Sequence, residues 1–213
     1  AQLAMGQPGE RGDYFHLYIN GQYWGLFNTC ERPEASYGAT YLGGNKQDYD
    51  VIKVEAGPYT TVATDGTMAS WTQVYNLVRP PGAVNDTMYR RLLGQNPDGT
   101  RNPSYPVYVD AANLIDYMLI ILWGGNLDAP ISNFLGNTSP NNYFGMWNRV
   151  TQDRGYQFFV HDAEHTLLNV NEDRTGPYPA GDSSVVKSSP QWLWQKLQQG
   201  SPEFRLHVAD RIR

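Results

Sequence analysis

The sequence predicts an α+β fold, because strand-like segments dominate the first third of its 213 residues and helix-like segments are mixed with a hairpin afterwards. Forty per cent of the residues are hydrophobic, which is enough to build a core. The 21 glycines and 14 prolines predict many turns between short elements. A chain of this length forms one large domain or two small ones.

The clearest strand signal is a β-hairpin at residues 13–31. The apolar segment FHLYI leads into Asn20-Gly21, the strongest short turn signal, and QYWGLFNTC follows as the return strand. Residues 48–56 form another strand candidate. Later in the chain, residues 143–149 and 156–162 predict two strands around the polar turn TQDRG.

The best helix candidate covers residues 110–125. Asp110 is the expected N-cap, and Gly124-Gly125 ends the pattern. Apolar residues surround most of the circumference, which predicts a largely buried helix. The other predicted helices cover residues 34–42, 71–78, 86–94, 192–199 and 202–213.

Composition and charge exclude several classes of protein. The net charge of −5 argues against a nucleic-acid partner held by a broad basic surface. The single cysteine, Cys30, excludes an internal disulfide framework and a cysteine-based zinc cage. The longest apolar run, residues 118–123, is too short to span a bilayer. No signal peptide is visible, and the chain stops inside a helical pattern, so we expect a fragment of a longer protein.

The segment HDAEH at residues 161–165 follows an apolar strand and allows three interpretations. His161, Glu164 and His165 match the H-x-x-E-H zinc pattern, but on an extended strand the two histidines lie roughly 13 Å apart. Alternatively, the histidines are hydrogen-bonded packing residues. In the third interpretation, Asp162 and Glu164 bind a hard cation such as Mg²⁺ or Ca²⁺.

The loop before the two late strands could supply further oxygen ligands for such a cation. This segment, residues 126–142, carries Asp128, Asn133, Asn141 and Asn142. The chain follows the order in which protein kinases build their phosphoryl-transfer site. That order is a buried helix, a loop aspartate, asparagines, a hairpin and a terminal aspartate.

Five blocks together resemble the CotH family of spore-coat protein kinase-like domains. They are HLYINGQYWGLFN (16–28), DYDVIK (48–53), LIDYMLIILWGGNLDAP (114–130), NNYFGMWNR (141–149) and FFVHDAEHTL (158–167). The resemblance implies a divergent protein-kinase-like fold with an N-terminal antiparallel β portion and a helical C-terminal portion that carries a catalytic-type β-hairpin. It also implies a single domain across residues 1–213, truncated at both ends, with a weak lobe boundary near 95–109.

The resemblance assigns roles to residues of the loop and the strand end. Asp128 matches the catalytic-loop aspartate, which accepts or orients the proton of the attacking hydroxyl. Asn142 matches a metal-binding asparagine, and Asn133 is its rival because it follows Asp128 by five residues. Asp162 matches the metal-chelating aspartate, and Glu164 stands where many relatives have a second aspartate.

Further assignments concern the nucleotide phosphates. Lys53 matches a family lysine that would pair with them, and Glu31 is the candidate ion-pair partner of Lys53. Gly21 and Gly25 are candidates for a phosphate loop, although GQYWGLF lacks the usual Gly-x-Gly-x-x-Gly pattern. Their alternative roles are a turn for Gly21 and a β-bulge for Gly25.

The implied function is a secreted kinase-like phosphotransferase that moves the γ-phosphate of ATP to protein Ser or Thr. Its cofactor would be Mg²⁺ or Mn²⁺, with Ca²⁺ as a further candidate, and its location extracellular or at the cell surface. The alternative is a non-catalytic, cation-binding surface or adhesion module on the same fold. The sequence indicates no nucleic-acid partner and no membrane span, and it does not indicate an oligomeric state.

Overall fold

Residues 1–212 are described by a computed structural model, in which three pairs of consecutive β strands are separated and followed by six α helices. The strands are β1 (Gly12–Ile19), β2 (Gln22–Cys30), β3 (Tyr49–Glu55), β4 (Thr60–Asp65), β5 (Tyr143–Asn148) and β6 (Gln157–Val160). The helices are α1 (Ala35–Tyr41), α2 (Ala69–Val78), α3 (Asp86–Leu92), α4 (Ala111–Trp123), α5 (Pro190–Gly200) and α6 (Pro202–Ile212). The predicted α+β class is confirmed; Arg213, the end of the predicted last helix, lies outside the described residues.

Four strands form one antiparallel sheet in the order β4-β3-β5-β6. Strands β3 and β4 precede the predicted boundary near 95–109, and β5 and β6 follow it, so one sheet joins both parts of the chain. Strand β4 was not predicted from the sequence, although TTVATD is rich in β-branched residues.

Side chains of the sheet alternate between two cores. Ile52 and Phe158 face a large cluster that includes residues of α2, α4, α5 and α6. Val51 and Phe159 face a smaller cluster with α1. Because successive residues of a strand point to opposite faces, two-sided burial makes the strands nearly continuous apolar runs.

The strand directions bring three strand ends to one edge of this sheet. Lys53 pairs with Phe144, and Tyr143 pairs with Val160. The end of β3, the start of β5 and the end of β6 therefore lie side by side. The residues that adjoin these ends include several of the predicted site residues.

Helix α4 passes through the core beneath the sheet and leads into the loop that carries Asp128. The Asp110 side chain accepts a hydrogen bond from the Asn113 backbone N–H at 3.0 Å, which confirms the predicted N-cap. The helix is largely buried, as predicted, apart from residues such as Trp123. Within residues 1–212, none of the helices combines the length and apolarity needed to cross a membrane.

A buried carboxylate ties α4 to the C-terminal helix. Asp116 is fully buried and accepts hydrogen bonds from Arg211 Nε and Nη2, each at 2.6 Å, and from Gln7 Nε2 at 2.7 Å. The Arg211 guanidinium remains partly exposed. Its hydrogen bonds with Asp116 raise the pKa of Arg211, so the guanidinium stays charged throughout the neutral range.

We expect Arg211→Ala to destabilise the protein by about 2–3 kcal/mol, because the buried Asp116 carboxylate loses its paired cation while Gln7 still donates to it. For a chain of this size, that loss lowers Tm by roughly 4–12 °C. Arg205→Ala is the matched control on the same helix, where the exposed guanidinium donates to the Gln198 carbonyl. Equal Tm values for the two variants in thermal denaturation would contradict this account.

Strands β1 and β2 form a separate two-stranded ribbon, the hairpin predicted from Asn20-Gly21. Both turn residues have positive φ, 50° at Asn20 and 79° at Gly21, as the hairpin turn requires. Large apolar side chains are exposed on this ribbon: Tyr14, Phe15, Leu17, Tyr18, Ile19, Tyr23, Trp24, Leu26 and Phe27.

Candidate functional site

The loop that leaves α4, residues 126–142, is called the Asp128 loop. The Asn126 side-chain oxygen accepts hydrogen bonds from the backbone N–H groups of Asp128 and Ala129, each at 2.8 Å. The Leu127 N–H donates to the carbonyl of His165 at 3.0 Å. The start of the loop is therefore shaped by its own asparagine and attached to the segment after β6.

Asn142 links the two predicted aspartates. Its side-chain Nδ2 donates to Asp128 Oδ2 at 3.0 Å and to the backbone carbonyl of Asp162 at 3.4 Å. Asn142 lies just before β5 and Asp162 lies just after β6, at the shared edge of the sheet. The chain thus brings Asp128, Asn142 and Asp162 together although they span 35 positions of the sequence.

The oxygen atoms of these residues differ in what they contact. The Asp128 carboxylate accepts from Asn142 on one oxygen and from the Ser132 hydroxyl on the other. Within residues 1–212, the Asp162 carboxylate and Asn142 Oδ1 accept no hydrogen bond from protein, and Asp162 is exposed. Carboxylate and amide oxygens with this freedom fit a hard divalent cation, and Mg²⁺ needs only one or two protein carboxylates beside phosphates and water.

The other two predicted metal ligands, Asn133 and Glu164, do not share the contacts of Asn142. Asn133 is exposed, and its Oδ1 accepts from Asn137 Nδ2 at 3.4 Å within the same loop. Glu164 is also exposed, and its carboxylate lies 3.5 Å from His165 Nε2. Asn142, and not Asn133, therefore hydrogen-bonds to both predicted aspartates within residues 1–212, and Glu164 lies beside a histidine.

The two histidines of HDAEH contact different neighbours. Residues 161–165 are not helical, and His161 Nδ1 lies 2.7 Å from Glu10 Oε1. The His165 ring packs edge-on against Phe134, with ring centroids 4.9 Å apart. Across residues 1–212, no three His, Cys, Asp or Glu side chains form a group that could hold a metal ion. These contacts match the packing interpretation of the histidines.

Lys53 lies at the same edge of the sheet as Asn142 and Asp162. It is half-buried, and its ammonium group lies 5.9 Å from the Phe144 ring centroid. The Phe144 ring in turn contacts His161, with centroids 4.9 Å apart. One aromatic ring, that of Phe144, therefore lies between Lys53 and His161, the residue that precedes Asp162.

The predicted ion pair between Lys53 and Glu31 is not formed in the described residues. Instead, Glu31 Oε2 lies 3.5 Å from Arg11 Nη1, and Glu31 Oε1 accepts a hydrogen bond from the Tyr41 hydroxyl at 2.5 Å. That hydrogen bond lowers the pKa of Glu31. The reason is the register of the hairpin, which pairs Gly12 with Cys30 and so places Glu31 opposite Arg11.

Gly21 and Gly25 have local conformational roles in the ribbon. Gly21 forms the turn, and Gly25, with φ of 134°, adjoins the register shift between Leu17 and Tyr18. No hydrogen bond in residues 1–212 links either glycine to Asp128, Asn142 or Asp162. The phosphate-loop role stays a prediction.

Two residues that hold the Asp128 loop in place, Ser132 within it and Arg174 outside it, were not predicted from the sequence. Ser132 follows Asp128 by four positions and donates to its carboxylate. Arg174 lies in a polar segment with no motif of its own, yet it is buried against the loop. Only the Ser132 spacing was visible in the sequence, since a hydroxyl four positions away can reach back across a turn.

An α+β chain that brings together a loop aspartate, an asparagine and an aspartate after a β-hairpin has the architecture of a kinase-like protein. The sequence model of the family described as CotH kinase protein matches residues 3–213, which is nearly the whole chain. The chain therefore belongs to the CotH kinase family, and the resemblance noted in the sequence is confirmed. Comparisons with curated proteins and with solved structures gave no significant match.

Proposed function

We propose that this chain transfers the γ-phosphoryl group of ATP to a Ser or Thr hydroxyl of a protein. Membership of the CotH kinase family supports a kinase-like activity in general. The observation that carries the finer proposal is the Asn142 amide, which joins the Asp128 carboxylate to Asp162. Phosphoryl transfer depends on positioning and on neutralising phosphate charge, and this arrangement supplies groups for both.

In the proposed reaction, the acceptor hydroxyl oxygen forms a bond with the γ-phosphorus. The bond between that phosphorus and the bridging oxygen breaks, and ADP leaves. Asp128 orients the acceptor hydroxyl and takes its proton, and the hydrogen bonds from Ser132 and Asn142 hold its carboxylate in place. Lys53, whose ammonium has no carboxylate within ion-pair distance in residues 1–212, adds positive charge for the phosphates.

Asp162 and Asn142 are the residues that would hold the divalent cation, because their oxygens are free of protein hydrogen-bond donors in the described part of the chain. A bound Mg²⁺ or Mn²⁺ would neutralise charge on the phosphates. Asn142 has a second task, since its Nδ2 fixes the distance between the Asp128 carboxylate and the Asp162 backbone.

The test is transfer of radiolabel from γ-labelled ATP to casein, a general Ser/Thr acceptor, with Mg²⁺, Mn²⁺ or EDTA. We expect labelled protein in the presence of either cation and none in EDTA. Calorimetry with each metal alone gives a second measurement. Metal binding without transfer to casein or to the chain itself would instead support the cation-binding module.

We expect Asn142→Ala to lower metal-dependent transfer by at least about tenfold and to raise the Mg²⁺ concentration required, because it removes both a ligand and the bridge. Asn133→Ala tests the rival assignment and should cause a smaller loss, since within residues 1–212 the Asn133 side chain hydrogen-bonds to Asn137 and to neither aspartate. Transfer rates of both variants, measured over a range of Mg²⁺ concentrations, show which asparagine is the metal ligand. A larger loss in Asn133→Ala would reverse the assignment.

A further inference from the structure

Arg174 is a buried arginine at the base of the Asp128 loop. Its side chain is 2 % exposed, although it lies in the irregular segment between β6 and α5. Its guanidinium donates three hydrogen bonds to this loop: Nε to the Asn126 carbonyl at 3.0 Å, Nη2 to the Ile131 carbonyl at 2.7 Å, and Nη1 to Asn137 Oδ1 at 2.9 Å. One side chain therefore contacts the loop at three separated points.

Two of these acceptors lie on either side of Asp128. Asn126 precedes Asp128 by two residues, and Ile131 follows it by three. Asn126 also shapes the backbone of Asp128, because its side-chain oxygen accepts from the Asp128 N–H. A shift of the guanidinium would therefore move both supports of the Asp128 backbone together.

The charge of Arg174 has little carboxylate compensation. The ion pair found for it is with Glu172, at 3.9 Å from Nη1, so loop carbonyl oxygens provide most of its polar contacts. Burying a cation is costly unless its donors are satisfied. A planar guanidinium can donate in three directions at once, whereas a lysine ammonium on a flexible stem cannot reproduce that fork.

Arg174 is itself held from the other side. Its backbone carbonyl accepts from Gln191 Nε2 on α5 at 2.7 Å, and its guanidinium carbon lies 5.0 Å from the Tyr178 ring centroid. The Asp128 loop is thus connected through Arg174 to the helical core. The same segment includes Asp162 near its start, so one stretch of chain supplies a predicted metal ligand and the support for the predicted catalytic residue.

We propose that Arg174 is a positioning residue for Asp128, a role that rests on the phosphotransfer function proposed above. It sets where the Asp128 carboxylate stands relative to Asn142, without contacting substrate. The role predicts a loss of catalytic rate with little change in the KM for ATP. It also predicts local loosening of residues 126–142 in the folded protein, which needs no activity to be observed.

The experiment compares Arg174→Lys and Arg174→Ala with Arg154→Ala, a matched control at an exposed arginine in the β5–β6 turn. Hydrogen exchange is measured for peptides from residues 126–142 and from α2, together with kcat and KM. In Arg174→Lys we expect exchange to rise about tenfold or more in residues 126–142 only. We expect kcat to fall by at least about tenfold and KM to change less than about threefold. Guanidinium ion should partly restore kcat in Arg174→Ala, whereas sodium chloride at the same concentration should not.

Unfolding of both Arg174 variants, or a uniform rise in exchange across the chain, would assign Arg174 a purely structural role and overturn the proposal. Hydrogen exchange in residues 126–142 of the Arg174 variants at the wild-type rate would overturn the proposal as well. If wild-type protein transfers no phosphate, the proposed function fails, and the exchange measurement still decides whether Arg174 holds the loop.

Discussion

Asp162→Asn is expected to lower metal-dependent phosphotransfer by at least about 1000-fold while leaving the protein folded. The substitution removes the negative charge that would hold the cation, and cation stabilisation of the transition state contributes several kcal/mol, or a factor of ten for each 1.36 kcal/mol. Asparagine is the suitable replacement because Asp162 has φ of 49°, a conformation that asparagine adopts more readily than alanine. The measurement is label transfer at saturating ATP over a range of Mg²⁺ concentrations.

The matched control is Asp153→Asn, in the exposed turn between β5 and β6, which should keep wild-type activity. Unfolding by urea should give stabilities for both variants within about 0.5 kcal/mol of wild type, because neither substitution is at a buried position. Undiminished transfer by Asp162→Asn would remove Asp162 from the metal site and, with it, the basis of the proposed mechanism.

Gly155→Ala is expected to have the largest effect on stability, a loss of about 4 kcal/mol or more. A Cβ at Gly155 would overlap the backbone nitrogen of Asp110 and the carbonyl carbon of Val109. Both are main-chain atoms at the start of α4, so neither can rotate away as a side chain would. The Asp110 carboxylate also accepts from Gln157 Nε2 at 2.9 Å, which links the same junction to β6.

The control for this prediction is Gly57→Ala, in the turn between β3 and β4. Gly57 has φ of 98°, but the position that an alanine methyl group would occupy has open space within 4 Å. The cost of this substitution is therefore that of backbone conformation alone, about 1–2 kcal/mol. Urea denaturation gives the free energy of unfolding of both variants, and the difference between their losses is the cost of the steric overlap at Gly155. A smaller loss in Gly155→Ala than in Gly57→Ala would show that the α4–β6 junction adjusts easily.

Local signals in the sequence predicted most of the elements. Asn20-Gly21 identified the ribbon and Asp110 identified the start of α4, because turn and capping chemistry depend on only a few neighbouring residues. The same signals did not predict that β3 pairs with β5. That pairing joins residues as far apart in sequence as Tyr49 and Asn148, and local periodicity carries no information about it.

The candidate site was predictable as an order of residues but not as a set of contacts. Family resemblance left both Asn142 and Asn133 as candidates, whereas the contact of the Asn142 amide with the two aspartates depends on the folded loop and is not visible in the sequence. The proposed partner of Lys53 failed because the hairpin register, a tertiary feature, assigns Glu31 to Arg11. Arg174 was missed because a buried arginine outside any motif resembles a surface arginine in sequence.

The ribbon formed by β1 and β2 contributes little to the stability of the rest of the molecule. Two-stranded ribbons gain little stability of their own in water, and this one keeps its large side chains outside both hydrophobic clusters. Its energetics are therefore nearly decoupled from those of the helices and the four-stranded sheet. Shortening or resurfacing the ribbon should therefore change the free energy of unfolding of the helices and the four-stranded sheet only slightly.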